Sequence, residues 1–119
     1  MPVRSLRSSV LRWPDRREVE RGAAEWAAQE AQRHPGLLRL GYFGSYARGD
    51  AGVGSDLDLI VVVESSPAPF EQRSLGWDLT SLPVPAELLV YTRPEWEHLL
   101  RQGGRFARTL QQEARWLIP

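Results

Sequence analysis

Asp56 and Asp58 stand one residue apart at the head of the apolar, β-branched run Leu57-Asp58-Leu59-Ile60-Val61-Val62-Val63. On a strand, side chains two apart leave the same face, so both carboxylates project together while Leu57 and Leu59 project to the other side. Two adjacent carboxylates repel and are costly to bury unpaired, whereas a divalent cation between them makes the arrangement favourable. The chain has no cysteine, and its two histidines, His34 and His98, lie in other segments. Oxygen ligands alone select a hard cation, magnesium or manganese. Upstream, the run Leu37 to Phe43 stops at Gly44-Ser45, where a strand hands over to a short helical turn. Free backbone N–H groups there suit an anion, a bare glycine admits phosphate oxygens close to the main chain, and the Ser45 hydroxyl adds a donor. Arg48, one turn on, either reaches a phosphate or holds Asp50 or Asp58. A phosphate cradle followed by a carboxylate pair is what a nucleoside triphosphate with magnesium requires. A third carboxylate would complete a site for two metal ions about 3.5–4 Å apart. Glu87, at the head of Glu87-Leu88-Leu89-Val90-Tyr91, is the candidate, since a helical excursion after the first acidic strand can return a second beside it. Glu64, at a strand's far end, and Asp78, in an expected helix, are worse placed.

The elements that must position these groups are legible around them. Pro14-Asp15 opens a helix over about 15–33, with Val19, Ala23, Trp26, Ala27 and Ala31 on one face and His34-Pro35-Gly36 as its stop. Strands are predicted at Leu37 to Phe43, Asp56 to Val63 and Ala86 to Thr92, with a last short one at Trp116 to Ile118. Phe70 to Leu79 reads as a helix with Phe70, Leu75 and Trp77 as its apolar contacts. Arg93-Pro94-Glu95 opens another, Gly103-Gly104 interrupts it, and Arg105 to Ala114 is helical again. This alternation predicts an α/β (α+β) domain, a small mixed sheet flanked by helices, over residues 15–119. Residues 1–14 are expected to be an N-terminal arm or short strand.

The composition excludes several classes. At 119 residues the chain is the size of one domain. Fifteen arginines, with no lysine, balance fifteen carboxylates, so no global field draws the chain to nucleic acid or an anionic membrane. Residues 1–17 alone hold a local excess of four positive charges, with no apolar stretch or small-residue cleavage site behind them. Without cysteine there is no disulfide, thiol nucleophile or cysteine-bound metal, and no apolar run spans a bilayer. A soluble, cytoplasmic domain with no stable nucleic-acid binding and no membrane is expected. His34 is expected to cap a helix end and His98 to lie at the surface. Most of the five tryptophans are expected in the core, and Tyr46 either stacks on a base or packs.

Gly44-Ser45, ten residues, then Asp56-Leu57-Asp58, resembles the signature of the DNA polymerase beta nucleotidyltransferase superfamily. Phe43-Gly44-Ser45-Tyr46-Ala47-Arg48-Gly49 and Gly54-Ser55-Asp56-Leu57-Asp58-Leu59 resemble its minimal branch, the MNT proteins. Many of these are antitoxins of HEPN-domain ribonuclease toxins. The resemblance implies a polymerase beta-like fold, Gly44 and Ser45 on the triphosphate with Arg48 beside them, and Asp56 and Asp58 on both metals. Glu87 would hold one metal and act as general base. The family's third acid is usually aspartate, so Glu87 is a departure by one methylene. The implied activity is magnesium-dependent transfer of AMP from ATP to a tyrosine of a HEPN-type toxin. A larger transferase adds a helical domain for base or acceptor, so the acceptor site is expected to be completed by another subunit or a second copy of this chain, a homo-oligomer. Two other functions are open: an antitoxin acting by complex formation alone, and a small-molecule transferase resembling antibiotic-modifying enzymes. The blander alternatives are a solvated strand start for Asp56 and Asp58, an ordinary turn at Gly44-Ser45, and a surface acid at Glu87.

Overall fold

Asp15 starts the first helix by a reciprocal cap. Its carboxylate accepts from the Glu18 N–H at 2.9 Å, and the Glu18 carboxylate accepts from the Asp15 N–H at 3.0 Å. Arg12, bonded to Glu18 and aided by the Asp15 N–H, holds the Glu18 carboxyl down to about 2. The computed structural model describes residues 12–119, so the expected arm or strand at 1–14 lies outside them as far as residue 11. Residues 12–14 are in neither helix nor strand.

The elements are α1 (Arg16–Arg33), β1 (Leu37–Phe43), α2 (Ser45–Arg48), β2 (Leu57–Val63), a 3-10 helix (Phe70–Gly76), β3 (Ala86–Thr92), α3 (Arg93–Gln102), α4 (Arg105–Glu113) and β4 (Arg115–Ile118). The sheet runs β3-β2-β1-β4, with β2 and β3 parallel and the other pairs antiparallel. It is the mixed sheet flanked by helices that the sequence predicts.

Strand alternation sorts the core into two layers. Leu57, Leu59, Val61 and Val63 pack with Val19, Ala23, Trp26 and Ala27 of α1, while Ile60 and Val62 pack with Trp96 of α3 and Leu110 of α4. Gly41 lets β4 close on β1, since a Cβ there would stand 2.6 Å from the Arg115 carbonyl oxygen and 2.8 Å from the Trp116 ring. Thr92 and Glu95 cap α3 reciprocally, and Gly103, at φ +66°, ends it.

Two expectations change. The fifth inward position of α1 is Glu30, not Ala31: Glu30 is 1% exposed and Ala31 faces solvent. Its carboxylate accepts from Arg33 at 2.9 Å and from the Asp78 N–H at 3.3 Å, which makes burial tolerable. The segment after Phe70 is a 3-10 helix ending at Gly76 rather than an α-helix to Leu79, with Phe70 and Leu75 exposed and Trp77 alone buried. That segment lies beside the edge strand β3 and is tied by Arg73, which donates to the carbonyls of Ala68 and Val90 and to both Glu95 oxygens. Trp77 stacks flat on His34, the α1 C-cap, with ring centres 3.7 Å apart.

Candidate active site

Gly44 lies at the junction of β1 and α2 with φ +76°, a conformation that favours glycine. A side chain is excluded twice over, because a Cβ there would run into the Asp58 carboxylate. The chain then makes the single helical turn of α2, ended by Gly49 in the left-handed region, and loops back to β2. Tyr46 is 3% exposed, so it packs rather than facing a ligand. Its hydroxyl accepts from Trp13 Nε1 at 3.3 Å and donates to the Ser55 carbonyl at 3.4 Å, fastening the loop immediately before Asp56. The Ser55 hydroxyl accepts from the Gly52 N–H at 2.9 Å and closes that loop on itself.

Register places the acids. Asp58 is the strand partner of Phe43 on one side and of Glu87 on the other, so the three side chains leave one face of the sheet in a row. It is the face of Ile60 and Val62, the one covered by α3 and α4. β2 begins at Leu57, so Asp56 is the last loop residue rather than the first strand residue. Asp56 and Glu87 are exposed and Asp58 is half-buried. Burial pushes the Asp58 carboxyl above its ordinary value, and the charges of Glu87, Asp56 and Glu113 push it further, against the pull of Arg48.

Phe43, Gly44, Ser45, Arg48, Ser55, Asp56 and Asp58 open onto a cavity of about 470 Å³, and Phe106, Thr109 and Glu113 of α4 form its opposite wall. Glu87 is beside Asp58 in the sheet but does not line this cavity. Among the described residues no three Asp, Glu, His or Cys groups stand close enough, as placed, to hold a cation. The donor set nevertheless suits a hard divalent cation. It is all oxygen, and Asp58 is destabilised by neighbouring negative charge that a cation would relieve. A somewhat larger cavity, about 530 Å³, lies between Phe70, Tyr91 and Leu99, but it is almost wholly apolar and holds no paired acids. The glycine-serine turn, Arg48 and the acidic pair line the smaller one.

Arg48 bonds Asp50 at 3.2 Å and Glu113 at 3.4 Å, so of its expected partners the aspartate it holds is Asp50, not Asp58. The residue that the motif does not foreshadow is Glu113, whose Oε2 accepts from the Gly44 N–H at 2.7 Å. Thr109 and Glu113, both polar and four apart, share one face of α4, a weak signal that this face is not wholly core. His98 is exposed and bonded only to Gln102 among the described residues, as expected of a surface histidine. No helix among the described residues is long and apolar enough to cross a membrane.

A family model described as a nucleotidyltransferase domain matches residues 25–116. A crystal structure from Sulfolobus solfataricus, of a protein provisionally named a nucleotidyltransferase, superposes with a TM-score of 0.60 at 18% identity. The alignment covers 85% of this chain and 80% of that one, a likeness of fold. No curated protein matches the chain.

Proposed function

Because the chain belongs to the nucleotidyltransferase domain family, we propose that it transfers AMP from magnesium-bound ATP to a tyrosine hydroxyl of a HEPN-type ribonuclease toxin. The observation that carries this reading is the row Glu87, Asp58, Phe43 on one sheet face, with Asp58 set against Gly44 at the cavity floor. Gly44, Ser45 and Arg48 would receive the triphosphate, and Asp56, Asp58 and Glu87 the divalent cations. Such cations activate the attacking oxygen and neutralise charge on the departing pyrophosphate. The acceptor oxygen bonds to the α-phosphorus, the bond from that phosphorus to the bridging oxygen breaks, and pyrophosphate leaves. The hydroxyl proton passes to Glu87, which is exposed and therefore reachable by an acceptor on another protein. Fixed charge and position supply most of the rate.

The test mixes the purified protein, the product of its genomic neighbour and magnesium-ATP, and weighs the neighbour by mass spectrometry. The expected result is a gain of one or more AMP masses that is absent with Asp56→Asn. An unchanged mass, the same for both proteins, refutes transfer. Protection of cells by Asp58→Asn, with the complex intact, would instead assign the protein to neutralisation by binding.

A further inference from the structure

Glu113 is in an electrostatically poor place. It is the last residue of the nine-residue helix α4, where the helix end carries partial negative charge. It also adds repulsion to Asp58, already crowded by Asp56 and Glu87. Two donors hold it there: the Gly44 N–H at 2.7 Å and Arg48 at 3.4 Å. Its side chain is 18% exposed and forms part of the cavity wall. Those two donors are the ones a polyphosphate would need. An anion of the protein itself thus occupies the anion-binding end of the pocket.

We propose that Glu113 is an internal competitor for phosphate, and that only a ligand anionic enough to displace it from Gly44 and Arg48 enters the pocket productively. The inference rests on the nucleotide-binding reading above and adds a specificity determinant to it. When the carboxylate is on the cradle, the pocket rejects phosphate. When a triphosphate with its cation takes Gly44 and Arg48, Glu113 swings off and its repulsion with Asp58 is relieved. A ligand without phosphate makes no use of either donor and does not compete. If the closed arrangement holds nine molecules in ten, the apparent Kd for a phosphate-bearing ligand is raised about ten-fold.

Calorimetric titration of magnesium-ATP and of adenosine into wild type, Glu113→Gln and Glu113→Ala tests this, with thermal melts confirming that each protein is folded. Expected is about ten-fold tighter magnesium-ATP binding by both variants, with adenosine unchanged or unbound in all three. Metal-free tripolyphosphate is expected to show the same gain. Equal or weaker magnesium-ATP binding by the variants, with wild type binding, overturns the competitor role and leaves the nucleotide site standing. A comparable gain for adenosine also overturns it, because the effect would not lie at the phosphate end. If none of the three proteins binds magnesium-ATP, the nucleotide-binding reading itself falls and the inference falls with it.

Discussion

Glu30, buried on α1, and Asp58, half-buried on β2, are both acids drawn out of water, and the protein treats them oppositely. Glu30 is 1% exposed, yet its oxygens accept from Arg33 and from the Asp78 N–H, with His34 at 3.6 Å. Trp26 completes that corner by donating to the Asp78 carbonyl at 2.6 Å. Asp58 has no hydrogen-bond donor among the described residues, and the charges of Glu87, Asp56 and Glu113 outweigh the pull of Arg48 on it. A buried charge that carries its own partners serves the fold, while one surrounded by like charge needs a partner from outside. The same contrast separates two arginines. Arg73, 9% exposed, is spent on two carbonyls and Glu95, whereas Arg48, half exposed, is held only by the carboxylates of Asp50 and Glu113 among the described residues.

The sharpest break in this comparison is Asp58→Asn. On the proposed reading, loss of its charge is expected to lower the transfer rate by about 10³-fold, measured as AMP incorporation, since a carboxylate that would hold the divalent cation is removed. Glu30→Ala comes next and should act on the other quantity. It empties a packed site and strips the Asp78 N–H of its acceptor, for a loss of about 2–3 kcal/mol in urea unfolding, with activity per folded molecule unchanged. A stability loss at Asp58 matching that at Glu30 would erase the distinction between the two acids.

The third prediction is a gain. The folded-state value of Asp58 is raised, so the native state holds its proton more tightly than the unfolded chain does. Stability therefore falls as pH rises from the ordinary carboxylate value through the raised one, and at neutral pH the ionised group is a burden. Asp58→Asn should raise Tm at pH 7, with the gain vanishing at low pH. An inactive variant more stable than wild type would mark a site kept for function at the expense of the fold. Smallest is the effect at Glu95, whose carboxyl is held down to about 2 chiefly by its bonds to Arg73. Its contribution is full above the ordinary value and disappears as pH falls toward 2. Because its side chain is 42% exposed, the loss from Glu95→Gln at pH 7 should stay under about 1 kcal/mol and shrink further at pH 3.

Much of the scaffold was legible because it is written locally. β1 and β3 have the bounds that the apolar runs predict, and Asp15 and the Pro94-Glu95 turn open helices by capping chemistry confined to a few residues. The Phe70 segment was not legible, because its form depends on Arg73 reaching a carbonyl of β3. Glu30 was not either, since a glutamate reads as solvent-facing until Arg33 and the Asp78 N–H are seen around it.

Residue order alone determined the glycine-serine turn, the acidic pair two positions apart and the strand that presents them, since each is a matter of backbone geometry over a few neighbours. Tertiary structure fixed the register that sets Glu87, already expected on a neighbouring strand, opposite Asp58, and it alone decided that Arg48 turns to both Asp50 and Glu113 and that Glu113 reaches the Gly44 N–H across 69 positions of chain. Strand register and helix packing set those meetings, and both come from burying two apolar layers against one sheet, a property of the whole chain rather than of any motif in it.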